Sequence, residues 1–490
     1  MQVGLHDNER GYEGMKQGIK KLLLKYCGFL ILTIMQISTF AILWLTYYVP
    51  ILDYIDRNFY FWGHWAVVGM YFIFVIFFTH NFDGYGVDFQ RAKNTCFTHC
   101  LAMICANMLS ILQSWIIGRY YFSVIPIILL TIFQILFIIA WSFVLRFLYL
   151  RVNEPSKILV VHGLYPPNAF ETFLEKTDLY NEKFYLMTLF DLKKEEEELW
   201  YKIKDSDEVL LYDISTEKRN DILKYCYSNS KKVYITPKIS DIIISGAERV
   251  YLSDSPLLRI NRKGLRIETL LVKRMVDIIV SLVGIIIMSP FLLVSAIIIK
   301  SYDGGKVFFT QKRLTRNEKP FEIIKFRSMR EDSEVNGPQI ARYNDDRITP
   351  YGRFLRSTHL DELPQLFNIL KGDMTLVGPR PERIENIEEY EKIIPEFKYR
   401  LSVKAGLTGY AQIYGKYDTT PYDKVKLDLE YIEKHSLFLD LKLMILTFKV
   451  MFQKGNAEGV KKQQRSALLD MNFMDKGKEC EGGEGDIKSN

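Results

Sequence analysis

The chain has 490 residues, enough for two or three domains. Its 64 Lys and Arg against 58 Asp and Glu leave a net charge of only +6, which argues against nucleic acid as a partner. The six cysteines show neither metal-ligand nor disulfide-framework spacing; three sit in or beside one apolar run and read as buried thiols of a cytoplasmic or membrane protein.

Four apolar runs, at 27–49, 61–78, 97–118 and 125–145, each approach or exceed the roughly 20 residues that cross a hydrocarbon core. The first is too long for a cleaved signal peptide, and three more follow. Lys16, Lys20, Lys21 and Lys25 precede the block, and Arg146, Arg151 and Lys157 follow it. An even number of spans with basic flanks places both ends in the cytoplasm. His64, His80 and His99 lie in or beside these runs with no ligand-like spacing and read as structural or interfacial.

Residues 156–265 alternate strand-like and helix-like runs. The segments 157–161, 208–212 and 232–236 read as buried parallel strands, with helices at 167–176 and 195–203. This is the βαβ rhythm of a Rossmann-like domain. The turn after the first strand, VHGLYPPN, lacks the glycine fingerprint of a dinucleotide site, so a structural or regulatory role is expected.

A fifth apolar run, 275–299, is flanked by Lys273-Arg274 and Lys300, and Ser289-Pro290 falls past its middle. Proline removes a helix hydrogen bond. Two readings stand: a Pro-kinked span, or a re-entrant helix that breaks at Ser289-Pro290 and returns to the same face. The second keeps the following Lys- and Arg-rich residues on the cytoplasmic side. After it, Asp303-Gly304-Gly305 and Val307-Phe308-Phe309 read as a hairpin turn and strand. The strand-like FEIIKFRSM places Lys325 and Arg327 on one face at period two.

The richest stretch is RSTHLDELPQLFNILKGDMTLVGPRPE, residues 356–382. Pro364 belongs in the first turn of a helix over 365–370 that stops at Gly372. Asp361 and Glu362 therefore lie at its N-terminal edge, where the helix dipole favours ionised carboxylates. An ionised Asp can attack phosphorus, a neighbouring carboxylate can hold Mg²⁺, and Arg356 and Arg380 can neutralise phosphate. The same pair could equally be acids that favour a helix start.

Residues 272–453 resemble the bacterial sugar transferases, the monotopic polyprenyl-phosphate phosphoglycosyl transferases. The resemblance rests on Lys273-Arg274-x-x-Asp277, Ser289-Pro290, VFFTQKR, KFRSM, DDRITPYGRFLRSTHLDELPQLFNILKGDMTLVGPRPE and GLTGYAQIYGKY. It implies transfer of a sugar 1-phosphate from a UDP-sugar to undecaprenyl phosphate, with release of UMP, as the first membrane step of capsule, exopolysaccharide or O-antigen synthesis. By the same resemblance Asp361 is the nucleophile and Glu362 the Mg²⁺ ligand. Lys325, Arg327, Arg356 and Arg380 contact phosphate, and Ser289 and Pro290 shape the re-entrant helix. Ala405, where the family has Pro, and Tyr414, often Asn, depart from the pattern and weaken any inference about the sugar.

The expected architecture is a membrane protein of α plus α/β class. It runs from a cytoplasmic segment (1–25) through four transmembrane helices (26–150) and a degenerate Rossmann-like domain (151–265) to a mainly helical catalytic module (266–455) and a disordered tail (456–490). Residues 437–452 read as an interfacial or a buried helix. The expected setting is the cytoplasmic face of a bacterial inner membrane, with the middle domain a candidate homodimer contact. A membrane-tethered nucleotide-sugar dehydratase would need a glycine fingerprint that is missing, and Tyr422–Lys426 alone does not supply its site. A catalytically dead scaffold would not need the polar site residues, all of which are present.

Overall fold

A computed structural model describes residues 2–55, 62–82, 84–85, 92–152, 156–163, 184–192, 196–260, 267–330, 345–415 and 419–452. The expected helix at 167–176 and tail at 456–490 lie outside the described residues. Internal contacts divide the chain into Met1–Thr236 and Pro237–Asn490.

In the first unit α1 (Gln2–Leu43) continues through a π-helical turn, Trp44–Tyr48, into α2 (Val49–Tyr54). The wide turn has a local cause. Pro50 brings no N–H, and its ring would strike the Thr46 carbonyl in a regular helix. Helices α3 (Gly63–Asn81), α4 (Ala92–Gly118) and α5 (Ile125–Val152) follow. All four expected apolar runs are helical. Together with a helix of the second unit, they make five among the described residues that are long and apolar enough to cross a membrane.

Buried polar side chains tie these helices together. Tyr71 Oη donates to Asn107 Oδ1 at 2.8 Å, and Asn107 Nδ2 donates to Gln134 Oε1 at 2.9 Å. Gln134 Nε2 donates to Thr39 Oγ1 at 3.0 Å. In lipid, where apolar side chains gain little by meeting one another, such bonds select the partner helix. His99 Nε2 lies 3.0 Å from the Gly84 carbonyl, and His64 Nδ1 accepts from Trp44 Nε1 at 3.4 Å.

The rest of this unit holds a four-stranded parallel sheet in the order β2-β1-β3-β4. Its strands are β1 (Ser156–His162), β2 (Phe184–Asp191), β3 (Glu208–Tyr212) and β4 (Lys232–Ile235). Helices α6 (Glu196–Asp205) and α7 (Thr216–Ser228) connect them. Leu159, Val161, Phe190, Leu199, Val209, Leu211 and Ile222 form the shared core. Three strands match the sequence reading; β2, on the edge, is an addition.

The second unit begins with α8 (Ile239–Ser245) and an antiparallel hairpin, β5 (Glu248–Leu252) with β6 (Ser255–Arg259). Ile239 and Ile242 are buried against Ile387, Phe397, Val425 and Leu429. Ile239 and Ile242 thus share the core of the second unit, which begins at Pro237. The alternation over 237–260 looks like another βα repeat, but its apolar residues fill a different core.

Helix α9 (Ile267–Asp303) carries Pro290 inside it and stays helical across Ser289-Pro290, so the expected break is absent. Pro290 offers no N–H to the Ile286 carbonyl, and Ser289 Oγ donates to that carbonyl instead, at 2.8 Å. The Ser-Pro pair thus keeps the backbone satisfied where a break was expected. Asp303-Gly304-Gly305 ends this helix, with Gly304 at φ +71°, and is not a hairpin turn. The hairpin lies further on, between β7 (Phe308–Leu314) and β8 (Pro320–Phe326).

The unit continues with α10 (Pro350–Ser357), a 3₁₀ turn at Leu360–Glu362, α11 (Gln365–Lys371) and β9 (Thr375–Val377). Helix α12 (Ile384–Ile393) and a 3₁₀ segment, Pro395–Ser402, lead to β10 (Gly406–Thr408), which pairs in parallel with β9. Helices α13 (Tyr410–Tyr414), α14 (Pro421–Glu433) and α15 (Leu437–Phe452) close it. In α15 Leu443 and Leu446 are buried while Phe438 and Leu441 are exposed, so the helix buries one side against the unit.

Candidate active site

The acidic pair sits where α10, the 3₁₀ turn and α11 meet. Thr349 caps α10 by accepting from the Gly352 N–H at 3.0 Å, and Pro350 takes its first position. The chain leaves α10 through His359, whose left-handed φ of +55° reverses it into the turn that holds Asp361 and Glu362. Pro364 precedes α11, and Gly372, at φ +98°, ends it, as the sequence predicts.

Three side chains hold this corner in place. Asn368 is buried in α11; its Nδ2 donates to the Glu322 carbonyl at 2.7 Å and its Oδ1 accepts from the Ile324 N–H at 3.0 Å. It ties the helix to β8 as a further strand would. Arg274 donates to the Ile369 and Leu370 carbonyls at 2.6 and 2.7 Å, capping the end of α11 from α9. Asp277 accepts from Thr375 Oγ1 at 2.7 Å and from the Leu376 N–H at 2.9 Å. The Lys-Arg-x-x-Asp run therefore fastens α9 to α11 and β9.

The two acids have opposite surroundings. Glu362 Oε1 accepts from Lys325 Nζ at 2.6 Å and from Arg380 Nη2 at 2.6 Å; its side chain is 12% exposed. Burial alone would raise its pKa, but the Arg380 and Lys325 charges override it and hold the carboxyl far below the usual range. The half-buried Asp361 takes no hydrogen bond or salt bridge from the described residues. Burial pushes its carboxyl up to about 6; Lys325 opposes this, Glu362 adds to it, and Arg356 and Arg380 oppose it further. Burial also lowers the pKa of His359, against the pull of Glu362.

Lys325, Arg356 and Arg380 thus converge on the acidic pair. Arg327 goes elsewhere: its guanidinium pairs with Asp303 at the end of α9. Ser289 and Pro290 lie within α9, where Pro290 is embedded in the helix.

Arg380 stands on a loop fixed from behind by a residue the sequence reading did not single out. The buried Arg400 donates through Nη2 to the Arg380 carbonyl at 3.0 Å and pairs with the buried Asp428 at 2.7 Å. Glycines let the loop seat itself. A Cβ on Gly406 would lie 2.1 Å from Gly378 N, and one on Gly409 would lie 2.2 Å from Gly378 O. The GLTG and VGPR motifs are two sides of this one backbone contact.

No described group of three His, Cys, Asp or Glu side chains could hold a metal ion by itself. Mg²⁺ commonly binds one or two carboxylates and completes its shell with substrate phosphates and water. Glu362 suits that role: it is ionised, and its neutralising partners, Lys325 and Arg380, are cations that a diphosphate would attract.

The sequence model of the family described as bacterial sugar transferase matches residues 268–454. A UDP-glucose:undecaprenyl-phosphate glucose-1-phosphate transferase of Caulobacter vibrioides is 38% identical over 194 residues, which are 38% of this chain and 71% of that protein. The chain belongs to the bacterial sugar transferase family. Another sugar transferase, the UDP-glucose:undecaprenyl-phosphate glucose-1-phosphate transferase of Klebsiella pneumoniae, is 43% identical over 218 residues, covering 43% of this chain and 45% of the relative. A UDP-N-acetylgalactosamine-undecaprenyl-phosphate N-acetylgalactosaminephosphotransferase of Aeromonas hydrophila is 39% identical over 183 residues, covering 37% and 43%. The chain thus spans under half the length of these two relatives. The matched region of the sugar transferase holds every residue of the corner described above, from Lys273 to Asp428.

Proposed function

We propose that this chain transfers a sugar 1-phosphate from a UDP-sugar to undecaprenyl phosphate, on the cytoplasmic face of a bacterial inner membrane, to begin capsule, exopolysaccharide or O-antigen synthesis. The observation that carries the reading is the contrast between the two acids. Glu362 is clamped between Lys325 and Arg380, while Asp361 has no partner among the described residues and a pKa near 6. An unpaired carboxylate beside an excess of cationic charge is suited to attack an anionic phosphate, which those cations attract.

An Asp361 oxygen attacks the phosphorus that bears the sugar. The phosphoanhydride bond to UMP breaks, its electron pair leaves with UMP, and an aspartyl phospho-sugar remains. An oxygen of undecaprenyl phosphate then attacks that phosphorus, freeing Asp361 and yielding a lipid diphospho-sugar. Lys325, Arg356 and Arg380 neutralise the phosphates. Mg²⁺, held by Glu362 together with the donor's diphosphate, would supply further positive charge.

The membrane path of α9 belongs to the same proposal. One unit touches the helix along its length. Lys273 pairs with Asp440 at 2.5 Å, Ser295 Oγ lies 2.8 Å from Tyr351 Oη, and Ile299 is buried with Phe326 and Leu355. The opposite side is apolar and exposed at Met275, Ile279, Ile286, Leu293 and Ile297. A helix lying along one leaflet, with both ends at the cytoplasmic face, fits these contacts. It would bring the acidic pair to the height of lipid phosphates.

The deciding experiment supplies a panel of UDP-sugars without acceptor. Wild-type protein should release UMP with one of them and gain the mass of that phospho-sugar on the peptide containing Asp361. Asp361→Asn should do neither; full activity in Asp361→Asn would refute the mechanism.

A further inference from the structure

Arg380 lies outside any helix or strand, between Pro379 and Pro381, which offer no N–H for a neighbour to hold. Its loop is fixed instead through consecutive carbonyls. The Gly406 N–H donates to the Pro379 carbonyl at 2.8 Å, and Arg400 Nη2 donates to the Arg380 carbonyl at 3.0 Å. Arg313 Nη1 donates to the Pro381 carbonyl at 3.3 Å, and its Nη2 donates to Gln311 Oε1 at 2.7 Å. Just beyond the loop, Arg383 forms an isolated antiparallel bridge with Arg313. Arg313 thus grips this segment with both its main chain and its side chain.

Arg313 stands on the same hairpin as Lys325. β7 and β8 pair with Phe309 opposite Lys325 and Arg313 opposite Phe321. Glu362 Oε1 accepts from Lys325 Nζ and from Arg380 Nη2, both at 2.6 Å. The hairpin therefore supplies one cation of that clamp directly and holds the chain that carries the other. The supporting charges are balanced locally. Glu382 lies 3.9 Å from Arg400 Nη1 and 3.7 Å from Lys424 Nζ. Burial alone would raise its pKa, but Lys424, Arg400, Arg380 and Arg313 override it and hold the carboxyl below its usual range. An ionised Glu382 lets Arg313 and Arg400 stand close behind Arg380 without driving it away.

We infer that Arg313 is a positioning residue: by holding the Pro381 carbonyl it sets the direction in which Arg380 meets Glu362 and the donor's phosphate. Its effect on phosphate rests on the proposed transferase reaction; its effect on the Arg380–Glu362 pair does not. Among the described contacts its guanidinium reaches the Pro381 carbonyl and Gln311, not the acidic pair, so it acts through Arg380. Misplacing a group that orients a reacting phosphate by about 1 Å can cost roughly 100-fold in rate.

Two double-mutant cycles on the full chain in nanodiscs test this. The first needs no turnover. The thermal-midpoint shifts of Glu362→Gln and Arg380→Met should be non-additive in wild type, because each change breaks the same ion pair. In an Arg313→Met background they should add. Coupling as strong there as in wild type overturns the inference. The second cycle follows UMP release from an excess of each UDP-sugar in a panel, without acceptor, where the amplitude counts folded sites. Arg313→Met should lower the rate constant roughly tenfold or more at an amplitude near that of wild type, and Arg313→Lys should recover part of the rate. In an Arg380→Met background Arg313→Met should slow release no further. A fallen amplitude with an unchanged rate constant marks a purely structural arginine and overturns the positioning role, as does equal slowing in both backgrounds. Should Arg313→Met fail to fold, Gln311→Leu, which removes the acceptor that aims the guanidinium, should show the same two effects in smaller measure; wild-type coupling and rate in that variant overturn the inference. If wild type releases no UMP from any UDP-sugar, the transferase reading fails, and the thermal cycle alone decides the role of Arg313.

Discussion

At the scale of single residues, Asp361 and Glu362 show how far neighbours divide two adjacent acids. Glu362 is ionised throughout the working range because two cations hold it there. Asp361, with a pKa near 6, is about nine-tenths ionised at pH 7. If it is the nucleophile, the rate of UMP release without acceptor should rise with pH through a midpoint near 6 and then level off. Its cost appears in stability. A carboxyl whose pKa is higher folded than unfolded binds more protons in the folded state, so stability falls as pH rises between the two values. Asp361→Asn should therefore be inactive yet unfold at a higher temperature than wild type at pH 7.5, with the gain shrinking below pH 5. Scanning calorimetry at both pH values checks this, and a less stable Asp361→Asn at pH 7.5 would count against it. The pair and its arginines were legible in the sequence because residue type and spacing carry the chemistry. The pairing of Arg400 with Asp428 and the Arg380 carbonyl was not, since contacts 20 and 28 residues apart leave no periodic signal.

At the scale of elements, patterning found the apolar helices, three of the four strands in the parallel sheet, and α11 with its Pro364 start and Gly372 stop. It misjudged Ser289-Pro290 because proline was weighed without its neighbour. Ser289 Oγ occupies the Ile286 carbonyl that Pro290 leaves open, on an exposed side of α9 where lipid offers no donor. This predicts a strong dependence of one residue on the other. Ser289→Ala alone should destabilise the protein by roughly 1–3 kcal/mol, the cost of an unsatisfied polar group. In a Pro290→Ala background, where the introduced alanine restores the N–H, the same Ser289→Ala change should cost almost nothing. Thermal unfolding of the four proteins in nanodiscs gives the coupling directly. Equal effects of Ser289→Ala in both backgrounds would show that the hydroxyl acts elsewhere.

At the scale of the whole chain, apolar periodicity identifies which helices are greasy but not which of their sides meets protein. For α9 that distinction decides topology. The second unit contacts it from Lys273 to Ile299, a rise of about 39 Å at 1.5 Å per residue, against a hydrocarbon core of about 30 Å. If the helix crossed, polar side chains that grip it along that length would have to enter the lipid with it. The same limitation hid which core Ile239 and Ile242 join: they look like any buried repeat until Phe397 and Val425 are seen around them. A helix that lies along one leaflet places its two flanks in one compartment. Single cysteines at Tyr251 and Ser301, both exposed, report on those flanks in a protein whose native cysteines are replaced. A membrane-impermeant maleimide should label neither in intact spheroplasts and both in inside-out vesicles. Labelling of one from each side would make α9 a fifth span and would carry Asp361 away from the cytoplasmic donor.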